Sequence, residues 1–277
     1  MIEPRVVLAP LDGSCAAASA LPIARALAQA WDVSLHVVHI APGGDARAAL
    51  DLAPELGLDP ADVGNVVLDE RVGDAGEAIV RAADEWRDPV IVLCSRTGAH
   101  AELPTLGPVS ARVLARCRYP VVIVPPHRGR QPWALRVMLV PHVGTPTASC
   151  ATALAMDLAR RVAATVRVLH VACPRDAPPR EPGALATPRY VDQQHHEWPA
   201  WAKEFVDRLA LATFPPPSLR LALVHGEPAS AIRTFAAEHQ VDLIVLCSHR
   251  DLDPGRATVL LGVLRDAPAP VLVLPYD

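Results

Sequence analysis

The sequence predicts an α/β protein in which one order of strands, helices and turns is written twice, end to end. Short β-branched apolar runs of the buried-strand type alternate with Ala- and Leu-rich helical stretches. The same succession begins at Arg5 and again at Arg136, a displacement of 131 residues. Strands alternating with helices in each half require a parallel sheet covered on both faces, with right-handed crossovers. A length of 277 residues accommodates two domains of ordinary size. With 51% apolar and 20% charged residues, each half holds enough hydrophobic material for its own core.

Each half opens on a strand, Arg5 to Pro10 and Arg136 to Pro141. A helical stretch follows, Ser14 to Ala30 and Thr147 to Ala163, and then a second strand, Leu35 to Ile40 and Val166 to Val171. His39 and His170 recur at that strand's end, where histidines with satisfied hydrogen bonds are expected rather than ligands. The segments Val72-Gly73-Asp74-Ala75-Gly76-Glu77 and His225-Gly226-Glu227-Pro228-Ala229 each release a turn with glycine and start a helix on an acid. Asp74 with Glu77 makes a capping-box-like pair, and proline at 228 suits the first helical position. From Gly73 to Gly226 the displacement has grown to 153, so the second copy carries an insertion of 22 residues, placed within 174–217. Its first part reads as a Pro-rich, charged loop and its second as an amphipathic helix around Trp201 to Leu211.

A fourth strand ends on the same Cys-Ser pair in both copies, Val90 to Ser95 and Leu243 to Ser248. A closing strand follows, Tyr119 to Pro125 and Ala269 to Pro275. From Pro120 to Pro270 the displacement is 150, so the second copy has lost three residues between its fourth and fifth strands. The expected division is 1–126 and 135–277, joined by a Pro-, Arg- and Gly-rich linker at 127–134.

Composition excludes several classes. A net charge of -4 without a basic tract gives no grip on a phosphate backbone, so nucleic acid is not expected as a partner. No stretch approaches the roughly 18 to 20 unbroken apolar residues of a membrane span. The first residues lack the basic and apolar regions of a signal peptide, so a cytoplasmic protein is expected. Cys15, Cys94, Cys117, Cys150, Cys173 and Cys247 show no CxxC spacing, which predicts reduced, mostly buried thiols and no zinc site. A Walker A loop is absent, because the only lysine, Lys203, follows Ala202. His196-Glu197-Trp198-Pro199-Ala200 starts like a zincin helix, yet Ala200 stands where the second histidine belongs and Pro199 breaks the helix. No Gly-x-Ser-x-Gly nucleophile elbow occurs.

Asp12-Gly13-Ser14 after strand one, the histidine ending strand two, Gly-Glu-Pro-Ala-Ser-Ala-Ile, Val-Asp-Leu-Ile-Val-Leu-Cys-Ser-His and Ala-Pro-Ala-Pro-Val-Leu-Val-Leu-Pro occur in order, with counterparts in both halves. In this the chain resembles the universal stress protein family. The resemblance implies two Rossmann-like domains of the adenine nucleotide alpha hydrolase-like type. Each would be a five-stranded parallel sheet of order 3-2-1-4-5 with helices on both faces. A ligand crevice would lie between strands one and four, where the strand order reverses. It also implies that the fifth strands pair across a two-fold axis. The two repeats would then form a pseudo-dimer within the chain, and a homodimer is the other assembly considered.

One branch of that family binds ATP with an acid after strand one, a backbone contact ending strand two, and a Gly-x2-Gly-x9-Gly-Ser/Thr loop after strand four. Glycines admit phosphate to the backbone, and amides with a hydroxyl at a helix N-terminus hold the anion. In the first repeat the resemblance carries over to Asp12, Ser14, Ile40, Gly107 and Val109. Cys94 and Thr97 replace the first two glycines and Pro108 the hydroxyl residue, while Ser95, Thr97 and Gly98 offer partial compensation. For Asp12 the structural alternative is an acid that interacts with the dipole of the first helix and caps its N-terminus. In the second repeat Val143 replaces the acid, Arg250 and Ala257 replace glycines, and only Thr258 matches. Arg250 and Arg256 remain there as attractors for an anion. The expectation is a non-catalytic cytoplasmic stress-response module with at most one weakened ATP or adenine-nucleotide site, in repeat one. No metal is expected beyond nucleotide-bound magnesium. The alternatives are an interaction or scaffold protein that binds no nucleotide and, ranked last, a slow ATPase.

Overall fold

The structure, a computed structural model, describes residues 3–41, 53–54, 56, 58, 66–95, 106–126, 131–173, 182, 184–185, 203–205, 207 and 219–276. In the first half these form β1 (Val6–Leu11), α1 (Cys15–Ala18), α2 (Leu21–Trp31), β2 (Ser34–Ala41), β3 (Val66–Val72), α3 (Ala75–Asp84), β4 (Pro89–Cys94), α4 (Pro108–Arg116) and β5 (Val121–Val124). In the second they form β6 (Val137–Pro141), α5 (Ser149–Val162), β7 (Thr165–Ala172), β8 (Leu219–His225), α6 (Pro228–Glu238), β9 (Leu243–His249), α7 (Thr258–Arg265) and β10 (Val271–Tyr276).

Side chains and turns explain the element boundaries. Asp74 caps α3 by accepting from the Glu77 amide, and Glu227 caps α6 by accepting from the Ala229 and Ser230 amides. Gly73 and Gly226, just before those caps, have φ of 128° and 138°, a region L side chains rarely enter. Ser14 caps α1, taking the amide of Ala17. The single helix expected over Ser14 to Ala30 is instead two, α1 and α2. Ser19 turns its hydroxyl back onto the Ala16 carbonyl, and Pro22 lies in the first turn of α2, where its missing N–H costs nothing. Its counterpart α5 is continuous.

The two repeats do not keep separate sheets. One ten-stranded sheet runs β3-β2-β1-β4-β5-β10-β9-β6-β7-β8. All pairings are parallel except β5 with β10, which is antiparallel, so the sheet is mixed rather than a pair of parallel sheets. This pairing is the intramolecular pseudo-dimer. It gives both fifth strands a neighbour on each side, so a homodimer through those edges is closed off.

Alternate residues of the central strands enter opposite cores, as the two-residue period of a strand requires. Val7, Ala9, Val90, Val92, Met138 and Leu272 face α2 and α5, which also touch each other. Leu8, Ile91, Val121, Ile244 and Val273 face α3, α4, α6 and α7. Burying each Val, Leu, Ile or Met side chain among them is worth about 1.5–3 kcal/mol.

Part of the expected linker is built into the second half. Trp133 is buried and donates its indole N–H to the Asp242 carbonyl, while the Asp242 carboxylate accepts from the Arg136 and Val137 amides. The expectation of reduced, mostly buried thiols also needs correction. Cys150 and Cys247 are joined as a disulfide, and of the other four cysteines only Cys117 is buried. Of the helix expected at Trp201 to Leu211, Lys203 to Phe205 and Asp207 are described and helical, and the remainder lies outside the described residues, as does His196-Glu197.

Candidate functional site

Strand order reverses between β1 and β4, so the loops leaving their C-terminal ends diverge and open a crevice. In the first repeat it is a cavity of about 240 Å³. Ligand clefts usually run from roughly 300 to 1,000 Å³, so this one encloses a small group or one end of a larger one. Pro10, Leu11 and Asp12 line it from the end of β1, Ala17 from α1, Ile40 from β2, and Ala75 and Ile79 from α3. Leu93 and Cys94 end β4, and Gly107, Pro108, Val109 and Ser110 open α4. The lining is mainly aliphatic, with polar atoms at its rim.

Asp12, exposed at the mouth, is held by its neighbour. Its Oδ1 accepts the Ser14 hydroxyl at 2.6 Å and the Ser14 amide at 3.0 Å. Ser14 in turn caps α1, so Asp12 positions the cap rather than acting as the cap itself. Gly13 between them has φ of 80°, a left-handed turn that favours glycine. Gly107 is the N-cap residue of α4 and offers no side-chain acceptor, with proline in the first turn. The next amides, of Val109 and Ser110, lack intrahelical acceptors because they belong to the first turn, and the helix leaves a partial positive charge there. Val109 is 38% exposed.

Thus Asp12, Ile40, Gly107 and Val109 stand around one cavity. Ser14 and Ser95 do not line it: Ser14 serves the α1 cap, and Ser95 is buried with its amide on the Val124 carbonyl. Thr97 and Gly98 lie outside the described residues. Sequence reasoning missed Ser110, whose buried hydroxyl donates to the Cys94 carbonyl at 3.5 Å. A hydroxyl two residues into the helix after strand four was the available signal. It also missed the aliphatic wall from α3, for which the sequence carried only a helix pattern.

The second crevice differs. Val143, in the position of Asp12, is 56% exposed, and His142 replaces Leu11. His142 is buried, its Nδ1 accepting the Gly144 amide, with Phe205 edge-on at 5.0 Å. Leu185 donates its amide to the Gly144 carbonyl, and its own carbonyl would lie 2.9 Å from a Cβ at Gly144. Residues of the inserted region are therefore seated on the loop that, in the first repeat, carries Asp12. Toward β9 and β10 an open cleft of about 550 Å³ is lined by Cys247 and Thr258, in the positions of Cys94 and Pro108 of the first crevice, together with Ser248, His249, Asp251, Arg256 and Tyr276. There Arg256 is paired with Asp251 at 2.9 Å, which offsets the charge expected to attract an anion.

His39 and His170 each direct Nδ1 at a carbonyl, of Leu11 and His142, at 3.0 and 2.9 Å. Burial pushes His170 below the usual histidine range, only partly opposed by that hydrogen bond. Among the described residues no group of three or more His, Cys, Asp or Glu side chains could hold a metal ion. Among the same residues no helix is long and apolar enough to cross a membrane.

The model of the universal stress protein family matches residues 4–125 and again 135–275. A universal stress protein from Archaeoglobus fulgidus DSM 4304 superposes with a TM-score of 0.67 at 16% identity, over 98% of this chain and 96% of that one. A functionally unknown protein from Pseudomonas aeruginosa PAO1 gives 0.68 at 18% identity, over 99% and 93%. At such identities the likeness is one of fold. No curated protein matches the chain in sequence.

Proposed function

The chain belongs to the universal stress protein family, matched twice along its length, and from that premise we propose a non-catalytic, cytoplasmic stress-response module with at most one adenine-nucleotide site, in repeat one. The reading takes residues 1–126 and 135–277 as two units of strand order 3-2-1-4-5, joined by 127–134, with the insertion within 174–217.

The inequality of the two crevices carries the proposal. The first has a cavity with an acid at its mouth and the uncapped start of α4 at its far end. The second has Val143 in place of the acid and Leu185 against Gly144. In the first site, Asp12 would take a ribose hydroxyl, the aliphatic wall the base, and the Val109 and Ser110 amides a phosphate. Proline at 108 removes one donor and one hydroxyl. Hydrogen bonds to charged groups contribute about 1.5–3 kcal/mol each, so affinity falls by roughly an order of magnitude or more for each one lost. Magnesium would arrive with the nucleotide.

Calorimetric titration of the intact chain with ATP, ADP and AMP tests this. The expected stoichiometry is no more than one per chain, with binding weakened tenfold or more in Asp12→Asn, which retains an oxygen for Ser14. Two tight sites per chain would refute the reading. Absence of all binding would favour a scaffold role, and phosphate release that disappears with Asp12 an ATPase.

A further inference from the structure

Cys94 and Cys247 occupy the same position at the end of the fourth strand of each repeat. What faces them differs. In the first repeat the Ser19 hydroxyl, whose proton goes to the Ala16 carbonyl, lies 3.4 Å from the Cys94 sulfur. The residue 131 positions on is Cys150, and its sulfur is bonded to that of Cys247. One helix-to-strand contact is therefore a serine–cysteine pair in repeat one and a cysteine pair in repeat two.

The pair is open to solvent. Cys150 is exposed in the first turn of α5, and Cys247 is half-buried on the wall of the 550 Å³ cleft. Exposed disulfides are the labile ones. Cys117 shows the contrast: it is buried, and desolvation pushes its thiol up to about 11, which keeps it inert.

We propose that Cys150 and Cys247 are a reversible, hydroperoxide-sensitive dithiol site that ties the start of α5 to the end of β9 in repeat two alone. The deprotonated Cys150 sulfur attacks one peroxide oxygen, the O–O bond breaks, and water leaves after proton uptake, giving a sulfenic acid. The Cys247 sulfur displaces the hydroxyl of that acid as a second water. Two thiols are oxidised to one disulfide, and one hydrogen peroxide is reduced to two waters. A small dithiol reverses the step by exchange. The bond closes a loop spanning 97 residues in sequence, so it restricts the unfolded chain and raises the melting temperature of the oxidised form. Neither sulfur belongs to the first crevice, so this site stands or falls apart from the nucleotide reading.

The test reduces the full chain with dithiothreitol, removes the reductant, adds equimolar hydrogen peroxide, and maps alkylated peptides without reduction. A linked Cys150–Cys247 peptide should appear with peroxide and vanish with dithiothreitol. Oxidised wild type should melt several degrees above reduced wild type. Cys150→Ser, which reproduces the Ser19–Cys94 contact, should show neither the link nor the difference. Both thiols remaining alkylatable after peroxide, Cys150 linked to another cysteine, or a melting difference that persists in Cys150→Ser would each overturn the proposal.

Discussion

Val122 of β5 and Leu272 of β10 lie directly opposite each other in the antiparallel pair, and they occupy the same position in the two repeats. The flanking partners, Val121 with Val273 and Ile123 with Val271, exchange roles about that point. The pseudo-two-fold axis of the duplication therefore passes between Val122 and Leu272. Both side chains are fully buried in the core shared by α2 and α5.

Leu272→Ala should thus lower stability by about 2–5 kcal/mol, the range for truncating a buried leucine. Because the seam belongs to both halves, urea unfolding followed by tryptophan fluorescence and by circular dichroism should shift as one transition. Two separated transitions in the wild type would show that the halves unfold independently.

A compensated exchange holds the second helical layer together. A Cβ at Gly262 of α7 would lie 2.6 Å from the Ala229 Cβ of α6. In the first repeat the glycine is on the other helix: Gly76 of α3 faces Arg112 of α4, and a Cβ there would lie 2.8 Å from Arg112 Cδ. Each helix pair approaches this closely because one partner has no side chain. Gly262→Ala should lose about 1–3 kcal/mol by overpacking, despite a better helix propensity. Adding Ala229→Gly should recover part of the loss, and a neutral Gly262→Ala in thermal melts would refute the packing argument.

Stability should fall in mild acid because of two histidines. Burial holds both His170 and His36 below the ordinary value of 6.5; for His36 the nearby Asp69 charge opposes the shift without reversing it. The unfolded chain then binds more protons than the folded one as the pH drops below about 6.5. The stability contributed by the neutral rings is complete above that pH and is lost as pH falls toward and through their folded values. The urea midpoint should be lower at pH 5.5 than at pH 7.5, and His170→Gln should narrow the gap. Equal midpoints at the two pH values would contradict the assignment.

Much of the local structure was legible in the sequence. Apolar runs such as Val90 to Leu93 became buried strands, and Asp74 and Glu227 capped the helices they precede. Part of the candidate site was legible too, since Asp12, Ile40, Gly107 and Val109 come to one cavity from three separate segments. Ser110, Ile79 and Ala75 were not, because a residue in an amphipathic helix carries no mark of which cavity its inner face will meet.

The sequence by itself determined the duplication, the order of strands and helices within each copy and the loss of the acid at Val143. These reside in periodicities of two and 3.6 residues and in turn residues, all of which act over a few positions. Only the tertiary structure decided that the fifth strands, expected to pair, do so within the chain as β5 with β10, that Leu185 lies on Gly144 and that Cys150 meets Cys247. A strand edge presents the same N–H and C=O groups to any partner, and residues far apart in the chain meet only when both cores close. The repeat thus specifies two similar scaffolds, and long-range packing makes their crevices unequal.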